Sequence, residues 1–202
     1  FRHGRIFFAG DSAHLVSPFG ARGGNGGIQD ADNLAWKLAY ALQEEAGTGL
    51  LDSYDEERIS AAEENMTISA ASMSFMTPKS QQTRVLQQSV LELAREVPFA
   101  KRMINSGRLS VPHQYSNSSV IVNDLEDEFT AQLGPGSPAL DAPVLLDDKS
   151  HWFLDLLAST KFTLVCYWQQ KVNANADFPI HARLRILHVV AQQPETGLIH
   201  DW

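Results

Sequence analysis

The sequence holds one cysteine, Cys166, among its 202 residues. A single thiol cannot form an internal disulfide, and this usage is typical of the reducing cytoplasm, where we expect the protein to work. Because Cys166 lies inside an apolar run, an inert core thiol is favoured over a reactive one. No apolar run approaches the roughly 20 residues that a membrane-spanning helix needs, so we predict no membrane partner.

Positive charge is also scarce. The chain has 16 Lys and Arg residues against 24 Asp and Glu residues, which gives a formal net charge of −8. Such a surface would repel nucleic-acid phosphates, so we predict no nucleic-acid partner. The histidines of the second half lack the spacing of metal ligands, and we predict no metal site. They are His151, His181, His188 and His200.

Three common patterns of catalysis or phosphate binding are missing. The sequence has no G-x-G-x-x-G after a strand, no G-x-x-x-x-G-K-[ST] and no G-x-S-x-G. These absences exclude the phosphate-binding loops of a Rossmann unit and of a P-loop protein, and the nucleophile elbow of an α/β-hydrolase.

A glycine-rich strand, loop and helix open the chain instead. Arg5–Ala9 is an apolar run that predicts a buried strand, Gly10 and Asp11 close it, and a glycine-rich loop runs from Ser17 to Gly27. The helix that follows is predicted to be amphipathic. Its apolar face would carry Ile28, Ala31, Leu34, Ala35, Leu38, Ala39 and Leu42, and its polar face Gln29, Asp30, Asn33, Lys37 and Glu44.

This arrangement has the physical features of a ligand site. Asp11 follows a predicted strand at its carboxyl end, where open α/β sheets bind ligands and where a carboxylate can accept hydrogen bonds from sugar-like hydroxyls. The glycines let the backbone approach a flat ligand, and a helix beginning near Asn25–Gly27 would direct its free N–H groups at the loop. Taken alone, the pattern fits a tight structural turn equally well.

The remaining pattern predicts two domains, at residues 1–108 and 109–202. A serine-to-glutamate capping box predicts that the second helix begins at Ser53. A linker-like stretch, residues 109–143, would carry an acidic surface at Asp124, Glu126, Asp127 and Glu128. The other predicted helices are 81–95, one ending near Gly107, His151–Ala158 and Ile180–Leu184, and the other strands are Val144–Leu146, Phe162–Trp168 and Arg185–Ala191.

The glycine-rich segment is far more specific as a whole than in its parts. Gly10–His14, Pro18, Gly23–Ala31 and Asn33–Leu38 together resemble the second FAD-binding motif of the phenol-hydroxylase-like flavoprotein monooxygenases. The resemblance implies that Asp11 binds the ribityl chain of FAD. It also implies that the helix N-terminus stabilises the anionic reduced flavin. The implied cofactor-binding residues are Gly10, Asp11, Pro18, Gly23, Gly24 and Asn25.

The resemblance also implies a fold class and an incomplete protein. The fold would be α/β, a strand–loop–helix remnant of an FAD-binding domain with long helices. A thioredoxin-like α/β domain would follow, because Gly134–Pro138 and Phe162–Trp168 are similar to its opening. The family's N-terminal glycine-rich motif and middle domain have no counterpart here. Both ends run into apolar segments, so we expect a C-terminal fragment, inactive alone.

The implied activity belongs to the intact enzyme. It would hydroxylate a small aromatic substrate with FAD as cofactor, NADH or NADPH as electron donor and dioxygen, and we expect a homodimer. No catalytic residue is identifiable. The alternative is a non-catalytic assembly or dimerisation module whose flavin motif is inactive in isolation.

Three further polar residues belong to this motif or its flanks. His14 is expected to support the loop, and Arg58 to form a salt bridge between helices or domains. For Arg22, contact with a flavin or pyridine-nucleotide phosphate and simple solvation remain equally open.

Overall fold

The computed structural model describes residues 1–18, 22–43, 46–47, 49–104, 111–122, 134–157, 160–168 and 181–190. The chain divides into two compact units, Phe1–Ala139 and Leu140–Trp202. The acidic residues predicted between 124 and 128 lie outside the described residues, as do residues 19–21 of the glycine-rich loop. The domain boundary after residue 108 stays a prediction. None of the described helices is long and apolar enough to cross a membrane.

The first unit opens with a short hairpin instead of the predicted buried strand. Strand β1 (Arg2–His3) pairs antiparallel with β2 (Ile6–Phe7), and Gly4 turns the chain between them with φ +60°. The prediction of a buried strand over Arg5–Ala9 was therefore wrong in length and burial, since Ile6 is 58% exposed. Within the described residues β2 pairs only with β1. Phe7 packs edge-on against Tyr54 of α2, with ring centroids 6.1 Å apart, whereas Ile6 stays exposed.

The described residues of this unit next form α1 (Arg22–Leu42), α2 (Gly49–Met76), α3 (Gln81–Leu93) and α4 (Pro98–Ile104). The predicted cap of α2 at Ser53 was wrong, because the helix already begins at Gly49 and the Ser53 hydroxyl donates to Leu50 O at 2.7 Å. A serine inside a helix can return its hydroxyl to a preceding carbonyl, so the capping-box pattern did not mark the start.

Helix α1 buries the face that we predicted to be solvated. Asp30 and Lys37 are 0% exposed, whereas the apolar Ile28 and Leu42 are 69% and 81% exposed. The assignment of faces was thus wrong. The physical reason lies on α2, whose Glu57 and Arg58 supply charge partners for the buried polar side chains of α1.

Helix α2 meets α1 through small and polar residues. Ala61, Ala62 and Ser69 are buried, while Met66 and Met73 are more than one third exposed. Small side chains let two helices approach closely, so that long charged side chains can bridge them. The buried residues of α2 are Ser53, Tyr54, Glu57, Arg58, Ala61, Ala62, Asn65 and Ser69.

The second unit contains two separate strand pairs. Strand β3 (Pro143–Leu146) pairs antiparallel with β4 (Lys149–Trp152), and β5 (Phe162–Trp168) pairs parallel with β6 (Leu184–Val190). The predicted helix over His151–Ala158 was wrong, because His151 lies in β4 and only a 3-10 turn at Leu154–Leu156 follows.

Two turns lie next to the strands of this unit, and the second of them replaces a predicted helix. Asp147 and Asp148 both adopt positive φ, +51° and +60°, which closes the β3–β4 hairpin tightly. The predicted short helix at Ile180–Leu184 was also wrong, since residues 181–183 form a turn and Leu184 begins β6; Ile180 itself lies outside the described residues.

Candidate functional site

The predicted flavin loop begins in a turn that packs directly on helix α1. Gly10–Ser12 form a 3-10 turn after β2, and Gly10 has φ +58°. A Cβ on Gly27 would lie only 3.3 Å from Gly10 Cα. The two glycines therefore permit a backbone approach that larger residues would block.

Asp30 of α1 holds this turn in place. Its Oδ2 accepts a hydrogen bond from the Gly10 N–H at 2.8 Å and lies 2.7 Å from His14 Nε2, while its Oδ1 accepts from Arg58 Nε at 2.6 Å. Burial of the carboxylate acts to raise its pKa, but the donors from Gly10, Arg58 and His14 outweigh it, so the pKa of Asp30 lies below its usual value. Asp30 is thus a buried anion at the base of the loop.

Arg58 uses its remaining donors to join α1 to a distant segment. Its Nη1 donates to the Tyr115 hydroxyl at 2.7 Å, and its Nη2 donates to Gly26 O at 3.3 Å. The expected helix–helix salt bridge of Arg58 is therefore confirmed, with Asp30 as the partner. A guanidinium presents several donors in a fixed plane, so one side chain can fix three elements at once.

Glu57 forms a second buried centre beside the first. Its Oε2 accepts from Lys37 Nζ at 2.7 Å and from Asn33 Nδ2 at 2.6 Å, and its Oε1 accepts from the Ser118 hydroxyl at 2.6 Å. Burial lowers the pKa of Lys37, and the adjacent Glu57 carboxylate offsets part of that effect. The α1–α2 contact consequently includes two buried charge pairs, one under the loop and one farther along the helices.

The residues predicted to bind the cofactor lie at the open side of this arrangement. Asp11 and Pro18 are exposed, and Gly23, Gly24 and Asn25 form the first turn of α1. A Cβ at either Gly23 or Gly24 would meet nothing within 4 Å. Helix α1 begins at Arg22, slightly earlier than predicted, so the first-turn N–H groups belong to the predicted cofactor residues themselves.

His14 and Arg22 are both anchored within the first unit. His14 is buried, with its ring stacked on Phe1 at a centroid distance of 5.4 Å. Arg22 Nη1 donates to Asn65 Oδ1 on α2 at 2.7 Å, so it fastens the start of α1 to α2. Contact of Arg22 with a flavin or pyridine-nucleotide phosphate stays a prediction.

Sequence reasoning missed the roles of Asp30, Lys37 and Glu57. A signal was present, because Asp30 and Lys37 are seven residues apart and so share one helix face, and Glu57 and Arg58 adjoin one another on the next helix. Two opposite charges on one helix face can indicate a charged contact with another helix. Among the described residues, no group of three His, Cys, Asp or Glu side chains could hold a metal ion.

The pKa of Asp30 predicts an acid-dependent part of the stability. Because folding lowers this pKa below 3.8, the stabilisation is fully present above pH 3.8 and is lost as pH falls through the folded-state value. We expect the difference in unfolding free energy between the wild type and Asp30→Asn to shrink between pH 5 and about pH 2. Urea titrations followed by circular dichroism measure it. A difference independent of pH would contradict the assignment.

Comparison with known proteins then identifies the glycine-rich segment. Residues 1–69 match the family model described as an FAD binding domain. This part of the chain is similar to an FAD binding domain. The match covers the 3-10 turn, all of α1 and the part of α2 that carries Glu57 and Arg58. The family predicted from the motif is thereby confirmed.

Relatives extend the similarity beyond the FAD binding domain. The chain is 33% identical over 178 residues to the 3-(3-hydroxy-phenyl)propionate/3-hydroxycinnamic acid hydroxylase of Mycolicibacterium gilvum, which covers 86% of this chain and 30% of the relative. It is 61% identical over 71 residues to a putative polyketide hydroxylase of Streptomyces halstedii, which covers 35% of this chain and 13% of the relative. The chain spans about a third of the length of the first curated relatives it matches.

A solved flavoenzyme shares the fold along nearly the whole chain. The rebeccamycin biosynthetic enzyme RebC with reduced flavin is similar with a TM-score of 0.65 and 26% identity, over 96% of this chain and 38% of that one. The chain is therefore related to FAD-dependent hydroxylases and monooxygenases.

The residues present fit part of an FAD molecule. The open space above Gly23 and Gly24 would admit a flat ring, and the exposed Asp11 carboxylate could accept hydroxyl hydrogen bonds. The N–H groups of Gly23 and Gly24 lie in the first turn of α1, where the helix favours an acceptor or a negative charge on that ring. The sequence has no G-x-G-x-x-G after a strand, which is the pattern that would suit the adenylate phosphates.

Proposed function

We propose that this chain supplies the riboflavin side of the FAD site in a monooxygenase that hydroxylates a small aromatic substrate with NADH or NADPH and dioxygen. The observation that carries the proposal is the Gly10–Ser12 turn, which Asp30 ties to α1. This tie fixes an exposed carboxylate, Asp11, on a turn that contacts the helix bearing Gly23 and Gly24. Support comes from the family match over residues 1–69.

Each residue of the loop has a distinct proposed task. Asp11 would accept hydrogen bonds from the ribityl hydroxyls, and Gly10 would give the turn its close approach to α1. The backbone of Pro18, Gly23, Gly24 and Asn25 would line the isoalloxazine ring. FAD, when bound, supplies the hydride acceptance and the reaction with dioxygen, while these residues bind and orient it. The N-terminal N–H groups of α1 would stabilise negative charge on the ring.

The whole protein would need more than this chain. The exposed apolar face of α1, with Ile28 and Leu42, is the kind of surface that further protein covers in a larger domain. We therefore propose that the chain alone is inactive. For the intact enzyme we propose a cytoplasmic homodimer, and a thioredoxin-like fold for the second unit, of which the parallel pair β5–β6 would be part.

A second candidate function, a non-catalytic assembly module, draws on the same exposed apolar side chains. In the second unit, Phe162 and Tyr167 of β5 are 53% and 72% exposed. Such surfaces could mediate self-association without any flavin. Flavin binding by the loop distinguishes the two functions, because an assembly module has no need of it.

Riboflavin is the ligand that tests the proposed site most directly, because it lacks the adenylate for which the chain has no motif. We expect riboflavin to shift the backbone NMR signals of Gly10, Asp11 and Gly23–Asn25, and adenosine monophosphate to leave them unchanged. Asp11→Asn should weaken riboflavin binding about tenfold, because it removes a charged hydrogen-bond acceptor.

Asp32→Asn provides the matched control, since Asp32 is an exposed carboxylate on α1 outside the proposed contact residues. It should bind riboflavin like the wild type. The proposed site would be wrong if riboflavin shifted none of the loop signals, or if both asparagine variants weakened binding equally.

A further inference from the structure

Residues 111–122 form a strap along α2. One strap residue, Tyr115, is hydrogen-bonded to Arg58, which lies beneath the flavin loop. Four residues of the strap form hydrogen bonds or ion pairs with α2, and one of them, His113, also meets Ser60. The Tyr115 hydroxyl accepts from Arg58, the Ser118 hydroxyl donates to Glu57, the Ser119 N–H donates to Glu56, and His113 pairs with Glu64. Of these contacts, only that between Tyr115 and Arg58 involves the Asp30–Arg58 pair, whose carboxylate binds the Gly10 N–H.

We propose that Tyr115 is a positioning residue for the flavin loop, acting through Arg58 and Asp30 on the Gly10 amide. The inference rests on the proposed function for its catalytic meaning. The path is continuous, with 2.7 Å from the Tyr115 hydroxyl to Arg58 Nη1, 2.6 Å from Arg58 Nε to Asp30 Oδ1, and 2.8 Å from Asp30 Oδ2 to the Gly10 nitrogen.

Burial makes this path stiff. Asp30 is 0% exposed and Arg58 is 1% exposed, so water cannot replace a lost partner without opening the helix contact. Tyr115 fixes the end of the guanidinium that points away from the carboxylate. Without that acceptor the guanidinium can tilt. The hydrogen bond from the Gly10 N–H to Asp30, which fixes the turn bearing Asp11, then weakens.

The backbone around Tyr115 is itself held in place. Its N–H donates to Gly136 O at 2.9 Å. Gly136 has φ +83°, and a Cβ there would lie 2.7 Å from the Tyr115 carbonyl carbon. Any larger residue at position 136 must therefore displace Tyr115. The tyrosine hydroxyl is thus placed by a turn that only glycine accommodates without strain.

Ser118 offers a contrast within the same strap. Its hydroxyl reaches Glu57, which accepts from Lys37 and Asn33 but is not hydrogen-bonded to Asp30 or Gly10. Loss of the Ser118 hydroxyl should loosen the strap about as much as loss of the Tyr115 hydroxyl. It should leave the loop unaffected, and this separates positioning from a merely structural role.

Hydrogen exchange of the Gly10 amide, measured by NMR without any ligand, tests the inference. We expect Tyr115→Phe to speed this exchange about fivefold, because one charge-assisted hydrogen bond in the path is lost. Ser118→Ala should leave it unchanged. Gly136→Ala, which displaces Tyr115 without altering its hydroxyl, should speed it in the same direction.

The riboflavin titration adds a second readout. Tyr115→Phe should raise the riboflavin dissociation constant about threefold, and Ser118→Ala should not change it. The inference is overturned if Tyr115→Phe leaves the Gly10 exchange rate unchanged, or if Ser118→Ala speeds it equally. Should riboflavin fail to bind the wild type, the proposed function fails, and the ligand-free exchange rates still decide whether Tyr115 controls the turn.

Discussion

Arg58→Met should destabilise the first unit by about 3–5 kcal/mol, the cost typical of removing one partner from a buried ion pair. Methionine fills much of the same volume as arginine. The loss of stability therefore comes from the Asp30 carboxylate, which remains buried without its cation. Asp30, 0% exposed, would keep only the Gly10 N–H and His14 as partners. The Tyr115 hydroxyl and Gly26 O would each lose a donor as well.

Urea unfolding followed by circular dichroism at 222 nm measures this loss, because all the described α-helices lie in the first unit. Small domains are stable by only about 5–15 kcal/mol, so the variant should be partly unfolded without denaturant or close to it. Arg95→Met is the control, since Arg95 is exposed after α3. We expect it to change stability by less than about 0.5 kcal/mol.

The double variant Asp30→Asn/Arg58→Met separates the charge from the packing. It removes both charges and should recover more than half of the stability that Arg58→Met loses. If the single variant were as stable as the control, Asp30 would have to reach solvent or another cation, and the buried network described above would be wrong.

The sequence was most informative where chemistry constrains it locally. The motif around Gly10–His14 and Gly23–Ala31 led to the correct family, because a close turn and a helix start require particular residues at particular positions. Strand β5 over Phe162–Trp168 was predicted with its observed bounds, since a run of β-branched and aromatic residues has few other uses. The cofactor contacts of Asp11, Pro18 and Asn25 stay predictions.

The sequence was least informative where burial depends on partners far away in the chain. Periodicity assigned Asp30 and Lys37 to solvent because charged residues are rarely buried without a partner. Their partners, Glu57 and Arg58, lie 20 or more residues later, and the shared face of Asp30 and Lys37 does not by itself identify them. A helix is expected to bury its apolar face, yet α1 exposes Ile28 within this chain.

Lys37 is the second residue whose replacement should strongly lower the stability of the first unit. Lys37→Met should cost about 3–5 kcal/mol of unfolding free energy, because Glu57 would remain as a buried carboxylate without its cation. Asn33 and Ser118 would still donate to Glu57, but neither carries charge. Urea unfolding at pH 7, followed by circular dichroism, measures the loss. The control is Lys101→Met on α4, where the lysine is exposed.

Removal of both charges of the Lys37–Glu57 pair should cost far less stability than removal of either charge alone. In the double variant Lys37→Met/Glu57→Gln the charges are gone, the glutamine oxygen can accept from Asn33, and its amide can donate to Ser118. We expect this variant to lie within about 1 kcal/mol of the wild type. If it were as unstable as Lys37→Met, the cost would come from packing of the lysine stem and not from an unpaired charge. The Gly10 amide should exchange at the wild-type rate in the double variant, because the Glu57 centre is not hydrogen-bonded to Asp30.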